Sequence, residues 1–307
     1  MKRTVEMSKV LRRDMQRNWE LYMLVIPVIL YYALFAYKPM YGALIAFKNF
    51  VPARGFSGSP WVGFDNFARF FRSPYLGRLF RNTFLISFYS LLFGFPAPII
   101  LALFLNEVRH SAYKRTVQTL SYLPHFISMV VVAGMITDFS MTSGLFNDIV
   151  AFFGGTRTPL LQQPGLFRPI YVISGIWQGV GWGTIIYLAA LSGVDPQLYE
   201  AAMIDGAGRI RQVFAVTLPS IIPTIIIMLI LRIGNLLDVG YEKTLLLYNP
   251  ATYETADIIS TYVYRVGLLE QNFSYSTAIG LFNSLINFIL LIVANKISRK
   301  VSETSLW

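Results

Sequence analysis

Val194-Asp195-Pro196-Gln197-Leu198-Tyr199-Glu200-Ala201-Ala202-Met203-Ile204-Asp205-Gly206-Ala207-Gly208-Arg209, followed by Phe214 and Leu218-Pro219, is a polar island between two long apolar runs. Asp195 has the side chain of an N-cap, and Pro196 suits the first helical position, where its missing N–H would have no partner anyway. Gly206 suits the left-handed residue that closes a helix. The spacing predicts a helix of about ten residues, ~15 Å long at a rise of ~1.5 Å per residue. Ala201 and Ala202 give it a face that another surface can approach closely, and Glu200 offers a negative charge. Asp205 is placed to pair with Arg209 one turn on, and Pro219 and Pro223 are expected to open the next apolar helix. A short, rigid, capped helix lying along a membrane can pass force to a soluble partner. An interfacial helix with no special role fits the same residues.

Outward from this island the chain is membrane-like throughout. Of 307 residues, 55% are hydrophobic and only 14% charged, and the mean hydropathy is +0.53. A soluble chain of this length would carry more charge. Six runs are long enough to cross a hydrocarbon core of ~30 Å: Leu21–Tyr37, Thr83–Leu105, Leu120–Phe139, Pro169–Leu191, Ile221–Val239 and Ala278–Ala294. Several contain breakers, such as Pro96 and Pro98 in the second and Gly175, Gly179 and Gly181 in the fourth. Such breaks are tolerated where neighbouring helices or a water-filled cavity satisfy the backbone. The fold class expected is an all-α polytopic membrane protein with six transmembrane helices. It divides into a basic N-terminal segment over 1–20, a membrane domain over 21–297 containing the loop 194–219, and a C-terminal tail over 298–307. No internal repeat, low-complexity tract or soluble domain is evident. The stretches 48–81, 140–167 and 240–275, rich in aromatics and glycine, read as connecting loops with room for short interfacial helices or a docking surface.

An even number of crossings puts both termini on one side. Lys2, Arg3, Lys9, Arg12, Arg13 and Arg17 precede Trp19 at the start of the first run, as expected of a segment on the inner face with Trp at headgroup level. No small-residue cleavage site follows that run, so it reads as a retained helix rather than a signal peptide. With the N-terminus inside, the inner segments hold more Lys and Arg than the outer ones, the sign of the positive-inside rule. The bias is small, because the first outer loop alone holds Lys48, Arg54, Arg69, Arg72, Arg78 and Arg81. The net charge of +10 is spread over loops and ends, which suits anionic lipid rather than nucleic acid.

Composition also narrows the chemistry. There is no cysteine, so disulfides and thiolate metal sites are excluded, and His110 and His125 are too few for a multi-histidine site. No metal site, catalytic residue or resident cofactor is expected. A membrane-embedded enzyme would need a His-Glu-x-x-His helix, paired aspartates at depth or an activated serine, and none is present. An ion-coupled carrier would need intramembrane carboxylates; the runs hold only Asp138 and Asp238, both toward their outer ends. Nor is there a Gly-x-x-x-x-Gly-Lys-Ser/Thr phosphate loop, so the chain cannot energise transport alone.

The series Glu200-Ala201-Ala202-Met203-Ile204-Asp205-Gly206-Ala207, then hydrophobics and Leu218-Pro219, resembles the signature loop of permease subunits of binding-protein-dependent ABC importers. The resemblance extends to a sugar-importing branch through Pro39-Met40-Tyr41-Gly42, Trp61-Val62-Gly63, Arg81-Asn82-Thr83, Phe93-Gly94-Phe95-Pro96-Ala97-Pro98, Ser121-Tyr122-Leu123-Pro124-His125-Phe126, Gly175-Ile176-Trp177 and Leu246-Leu247-Tyr248-Asn249-Pro250. That branch handles oligosaccharides such as aldouronate, rhamnogalacturonan and alginate fragments. The resemblance implies the type I ABC importer transmembrane fold. It implies as partners a second homologous permease, two ATP-binding subunits that hold ATP and Mg, and an extracytoplasmic solute-binding protein. It also implies that Glu200, Ala201, Ala202, Asp205, Gly206 and Ala207 contact the ATP-hydrolysing subunit, and it places the chain in a bacterial cytoplasmic membrane with both termini cytoplasmic.

A sugar path needs aromatic faces and hydrogen-bonding side chains at membrane depth, where polar groups are costly. His125 and Ser128, three apart, are expected on one face of the third run. In the fourth, Gly181 would let a ligand approach, and Trp177 and Trp182 would offer stacking surface. Asn235 and Asp238, again three apart, are expected on the fifth. Helix packing is the alternative reading for each. Arg232 in the fifth run would pair with a partner's carboxylate or attract an acidic sugar.

Overall fold

The structure, a computed structural model, describes residues 14–302 together with 305 and 306. The basic residues before Asp14 lie outside the described residues. Six helical spans are long and apolar enough to cross a membrane. In chain order the elements are α1 (Trp19–Phe47), α2 (Asp65–Phe71), α3 (Leu76–Glu107, turning at Phe95), α4 (Ser111–Tyr122), α5 (Met129–Ser140), α6 (Leu145–Phe152), α7 (Pro164–Ser192), α8 (Pro196–Ile204), α9 (Arg209–Gly234), α10 (Tyr241–Leu247), α11 (Ile259–Tyr264) and α12 (Phe273–Ser302). The only β-pairing among the described residues is a single bridge between Lys48 and Trp61. Because successive spans reverse direction, α8 lies at the same end of the bundle as the start of α1, the end of α3 and the end of α12.

The prolines explain where the helices are irregular. A proline removes one N–H and crowds the carbonyl four residues back. Pro39 and Pro219 would crowd the carbonyls of Phe35 and Ala215. Both carbonyls lie in π-helical stretches, Tyr32–Tyr37 and Val213–Thr217, whose wider turn relieves the clash. The fifth span thus begins at Arg209, not at Pro219–Ile221. Pro96 and Pro98 sit in the first turn of a helix that restarts after Phe95, where a missing N–H has no partner to lose.

The third run is not one helix. Residues before Met129 form the separate α4, then a 3-10 turn at Leu123–Phe126 opened by Pro124. The chain is extended at Ile127 and Ser128 before α5 begins. His125 and Ser128 therefore do not share a helix face. The fifth span likewise ends at Gly234, with Asn235 as its C-cap and Asp238 in the turn beyond.

Three buried apolar clusters hold the bundle. Ile86, Val132, Ile136, Phe167, Val172 and Leu247 join α3, α5, α7 and α10. Phe70, Leu79, Ile259, Tyr275 and Ile279 bring α2, α3, α11 and α12 together at the end away from α8. Ala102, Tyr187, Leu191 and Ile221 pack α3, α7 and α9 near α8. By contrast, α1 is exposed from Met23 to Tyr41 and packs only through its last turns.

The end away from α8 carries many arginines because it uses them internally. The fully buried Asp257 carboxylate accepts from Arg78 at 3.0 Å and Arg265 at 2.9 Å. Asn82 donates to the carbonyls of Glu254 and Asp257 and accepts from Arg168. These side chains sew the segment 253–265 to α3, which explains why the charge bias between the two faces is small.

Candidate functional site

The polar island folds as its sequence indicates. Asp195 caps α8, accepting from the Gln197 N–H at 2.9 Å, and Pro196 follows at the first position. Gly206 has φ +75°, and the N–H groups of Gly206 and Ala207 donate to the carbonyls of Met203 and Ala202 at 3.0 and 2.8 Å. This paired closure is a Schellman motif, and it needs a residue that tolerates positive φ. The reversal at Gly206 also takes Arg209 off the helix. Asp205 makes no ion pair with it, contrary to expectation.

Two contacts fix α8 to the root of α9. The Tyr199 and Thr217 hydroxyls are 3.0 Å apart, and Gln212 donates to the Ala207 carbonyl at 2.8 Å. The outer surface is bare: Glu200, Ala201, Asp205 and Gly206 are exposed, Ala202 and Ala207 half-buried. Ile204 and Ile210 are 87% and 77% exposed, with Met203 and Phe214 beside them. A rigid helix, anchored on one side and apolar on the other, is built to be covered.

A cavity of about 550 Å³ lies between α3, α7, α9 and α10, within the range of roughly 300–1,000 Å³ usual for ligand pockets. Gly175, Gly179 and Gly183, four apart on α7, leave room on one wall. Asn235, Asp238, Arg232 and Lys243 contribute polar groups. The turn that carries Asn235 and Asp238 is held by α12, where the Leu237 N–H donates to Asn287 Oδ1 at 3.1 Å. Lys243 Nζ donates to the Tyr171 carbonyl at 2.8 Å and lies 4.6 Å from the centre of that ring. Burial pushes the Lys243 ammonium down to about 8, so it keeps its proton at neutral pH.

The seven residues expected to line a sugar path are thus not gathered in one place. Asn235 and Asp238 reach the cavity. Trp177 lines a separate apolar pocket with Ile136, Phe139, Phe146 and Ile173. Trp182 lies about 140° around α7 from Trp177 at 3.6 residues per turn, and its indole stacks on His125 with centroids 4.5 Å and planes 5° apart. Gly181 is buried and serves packing rather than ligand approach, because a Cβ there would overlap the Ser121 carbonyl. Ser128 caps α5, accepting from the Val131 N–H. Lys243 falls in the stretch 240–275, which the sequence reads as a connecting loop, yet it is buried in the cavity wall. Its one sequence signal is the four-residue glycine spacing on the facing helix.

With this geometry established, the chain can be placed among known proteins. Residues 94–303 match the family described as binding-protein-dependent transport system inner membrane component, and the chain belongs to that family. It is a multi-pass inner-membrane permease component of an ABC transporter with the type I importer fold, and it is not an enzyme, the ATPase being a separate subunit. Protein LplB of Bacillus subtilis (strain 168) is 47% identical over 298 residues, covering 97% of this chain and 92% of that protein. The polygalacturonan/rhamnogalacturonan transport system permease protein YteP of the same organism is 45% identical, covering 94% and 90%. The fold is also similar to a chain in the crystal structure of a bacterial alginate ABC transporter in complex with alginate pentasaccharide-bound periplasmic protein. There the TM-score is 0.88 and the identity 44%, covering 96% of this chain and 99% of the other.

Proposed function

We propose that this chain is the permease subunit through which an ATP-driven importer moves an oligosaccharide delivered by a solute-binding protein, with α8 as the coupling element. The observation that carries the coupling role is a closed, exposed helix anchored through Tyr199–Thr217 to a membrane span. Glu200, Ala201, Ala202, Asp205, Gly206 and Ala207 form its contact with the ATP-hydrolysing subunit. Two such subunits bind ATP and Mg, and α8 and both termini face the cytoplasm of a bacterial cell. The opposite end receives the solute-binding protein. A second, homologous permease completes the pathway, and the bare flank of α1 from Met23 to Tyr41 offers it apolar surface. The oligosaccharide substrate is supported by YteP and by the alginate transporter, whose described cargoes are polysaccharides or their fragments.

The cavity containing Asn235 and Asp238 is this subunit's share of the path. His125, Ser128, Trp177, Gly181 and Trp182 lie outside its lining and shape the helices around it. The test is reconstitution of the complete complex in liposomes, with oligosaccharide uptake and ATP hydrolysis measured together. Glu200→Lys and Gly206→Pro should leave the complex assembled while uptake per ATP hydrolysed falls at least ten-fold. Normal uptake by Gly206→Pro, in which proline cannot adopt the positive φ, would remove the docking role.

A further inference from the structure

The walls of the α3–α7–α9–α10 cavity hold two cations and one anion, and none of the three is paired with another. Arg232 forms no ion pair among the described residues, and neither do Lys243 and Asp238. Arg232 stands in the last turn of α9, exposed on the cavity wall, where its guanidinium is open to an anionic partner. Arg78 and Arg265, by contrast, share the buried carboxylate of Asp257.

Lys243 is held in place rather than left to fold back. It is only 4% exposed, and a single carbonyl, that of Tyr171, takes one of its three donors. The facing position on α7 is Gly175, where a Cβ would stand 3.3 Å from the ammonium. A methyl group there would make the amine give by a few tenths of an ångström, and a branched side chain would displace it further. A third wall adds an independent sign of a missing ligand: Ser87 Oγ, on α3, is buried without a hydrogen-bond partner. A buried hydroxyl of this kind costs free energy until something accepts from or donates to it.

We infer that Arg232 and Lys243 form a carboxylate-reading site in this cavity, and that the saccharide which passes through it bears carboxylate groups. This rests on the transport reading above. The guanidinium presents a planar fork that matches a carboxylate, while the ammonium acts as a second, compact charge. Asp238 leaves the wall one net positive charge, enough to favour a single carboxylate without trapping it. A path must bind weakly enough to release. The neutral donors Asn235 and Gln178, with the unpartnered Ser87, complete a wall suited to the hydroxyls of a sugar ring.

The experiment compares uptake of trigalacturonate and of its methyl ester by the complete complex in proteoliposomes at saturating solute-binding protein. Arg232→Gln and Lys243→Gln should each lower uptake of the acid at least ten-fold more than uptake of the ester. Lys243→Arg, which keeps the charge, should retain most acid uptake, and Gly175→Val should mimic Lys243→Gln. Equal losses for acid and ester, or no loss for either, would overturn the inference and leave the transport reading standing. If the unmutated complex moves neither saccharide while hydrolysing ATP, the oligosaccharide reading itself fails, and this inference with it.

Discussion

The Tyr199 hydroxyl on α8 meets the Thr217 hydroxyl on α9 at 3.0 Å, across a turn of chain that reverses at Gly206. Thr217 is buried and Tyr199 half-buried, so the contact is a joint between a surface helix and a membrane span. Removing it by Tyr199→Phe should cost about 1 kcal/mol at the joint, the usual net worth of one hydrogen bond. The expected outcome is a several-fold fall in uptake per ATP, with the amount of assembled complex unchanged. Simultaneous measurement of hydrolysis and uptake checks it.

Gly181 abuts the backbone of Ser121 and Tyr122 where α4 gives way to the turn before α5. Backbone cannot rotate away as a side chain can. Gly181→Ala should therefore push α4 off α7 and destabilise the protein by about 1–3 kcal/mol, the usual cost of overpacking. Thermal unfolding of the purified complex would read this as a lower midpoint. A midpoint unchanged from the parent would show that the two helices yield freely.

Asp257 is the single acid for two arginines and also accepts from Thr261 at 3.0 Å. Asp257→Asn would leave both guanidiniums without a counter-charge. The expected loss is about 3 kcal/mol, the low end for a broken buried pair, because the Arg78 and Arg265 side chains keep 30% and 23% exposure. The exposed pair Arg81–Glu254, at 3.9 Å, supplies the contrast: Arg81→Ala should shift stability by no more than about 0.5 kcal/mol.

Asn235 and Trp177 part company once the packing is known. Asn235→Ala should raise the KM for uptake about three- to ten-fold, as expected for a lost polar contact of about 1 kcal/mol. Trp177→Ala removes a wall of an apolar pocket, so it should lower thermal stability and leave KM within about two-fold. A KM change for Trp177→Ala as large as that for Asn235→Ala would return the indole to the sugar path.

Much of this molecule is written locally. Asp195, Pro196 and Gly206 specify α8 because caps and left-handed turns act over a few residues, and each is found where those rules put it. The six apolar spans follow from composition in the same way. Misreadings arise where a local rule competes with another. The apolar run Leu120–Phe139 hides a break because Pro124 and Ser128 each favour a new helix start over continuation. Arg209 joins the fifth span because a π stretch absorbs Pro219.

The amino-acid sequence by itself determined the class of fold, the number of crossings and the capped helix between the fourth and fifth spans, since these depend on hydropathy and on neighbours in the chain. Only the tertiary structure decided which side chains share a cavity. Lys243 meets Tyr171 across 72 positions, and the two tryptophans of α7 are separated by the helix's own rotation. Helix periodicity says which residues share a face; it does not say which neighbour that face meets. That choice is made by close packing at points such as Gly181, where the absence of one methyl group lets distant segments touch.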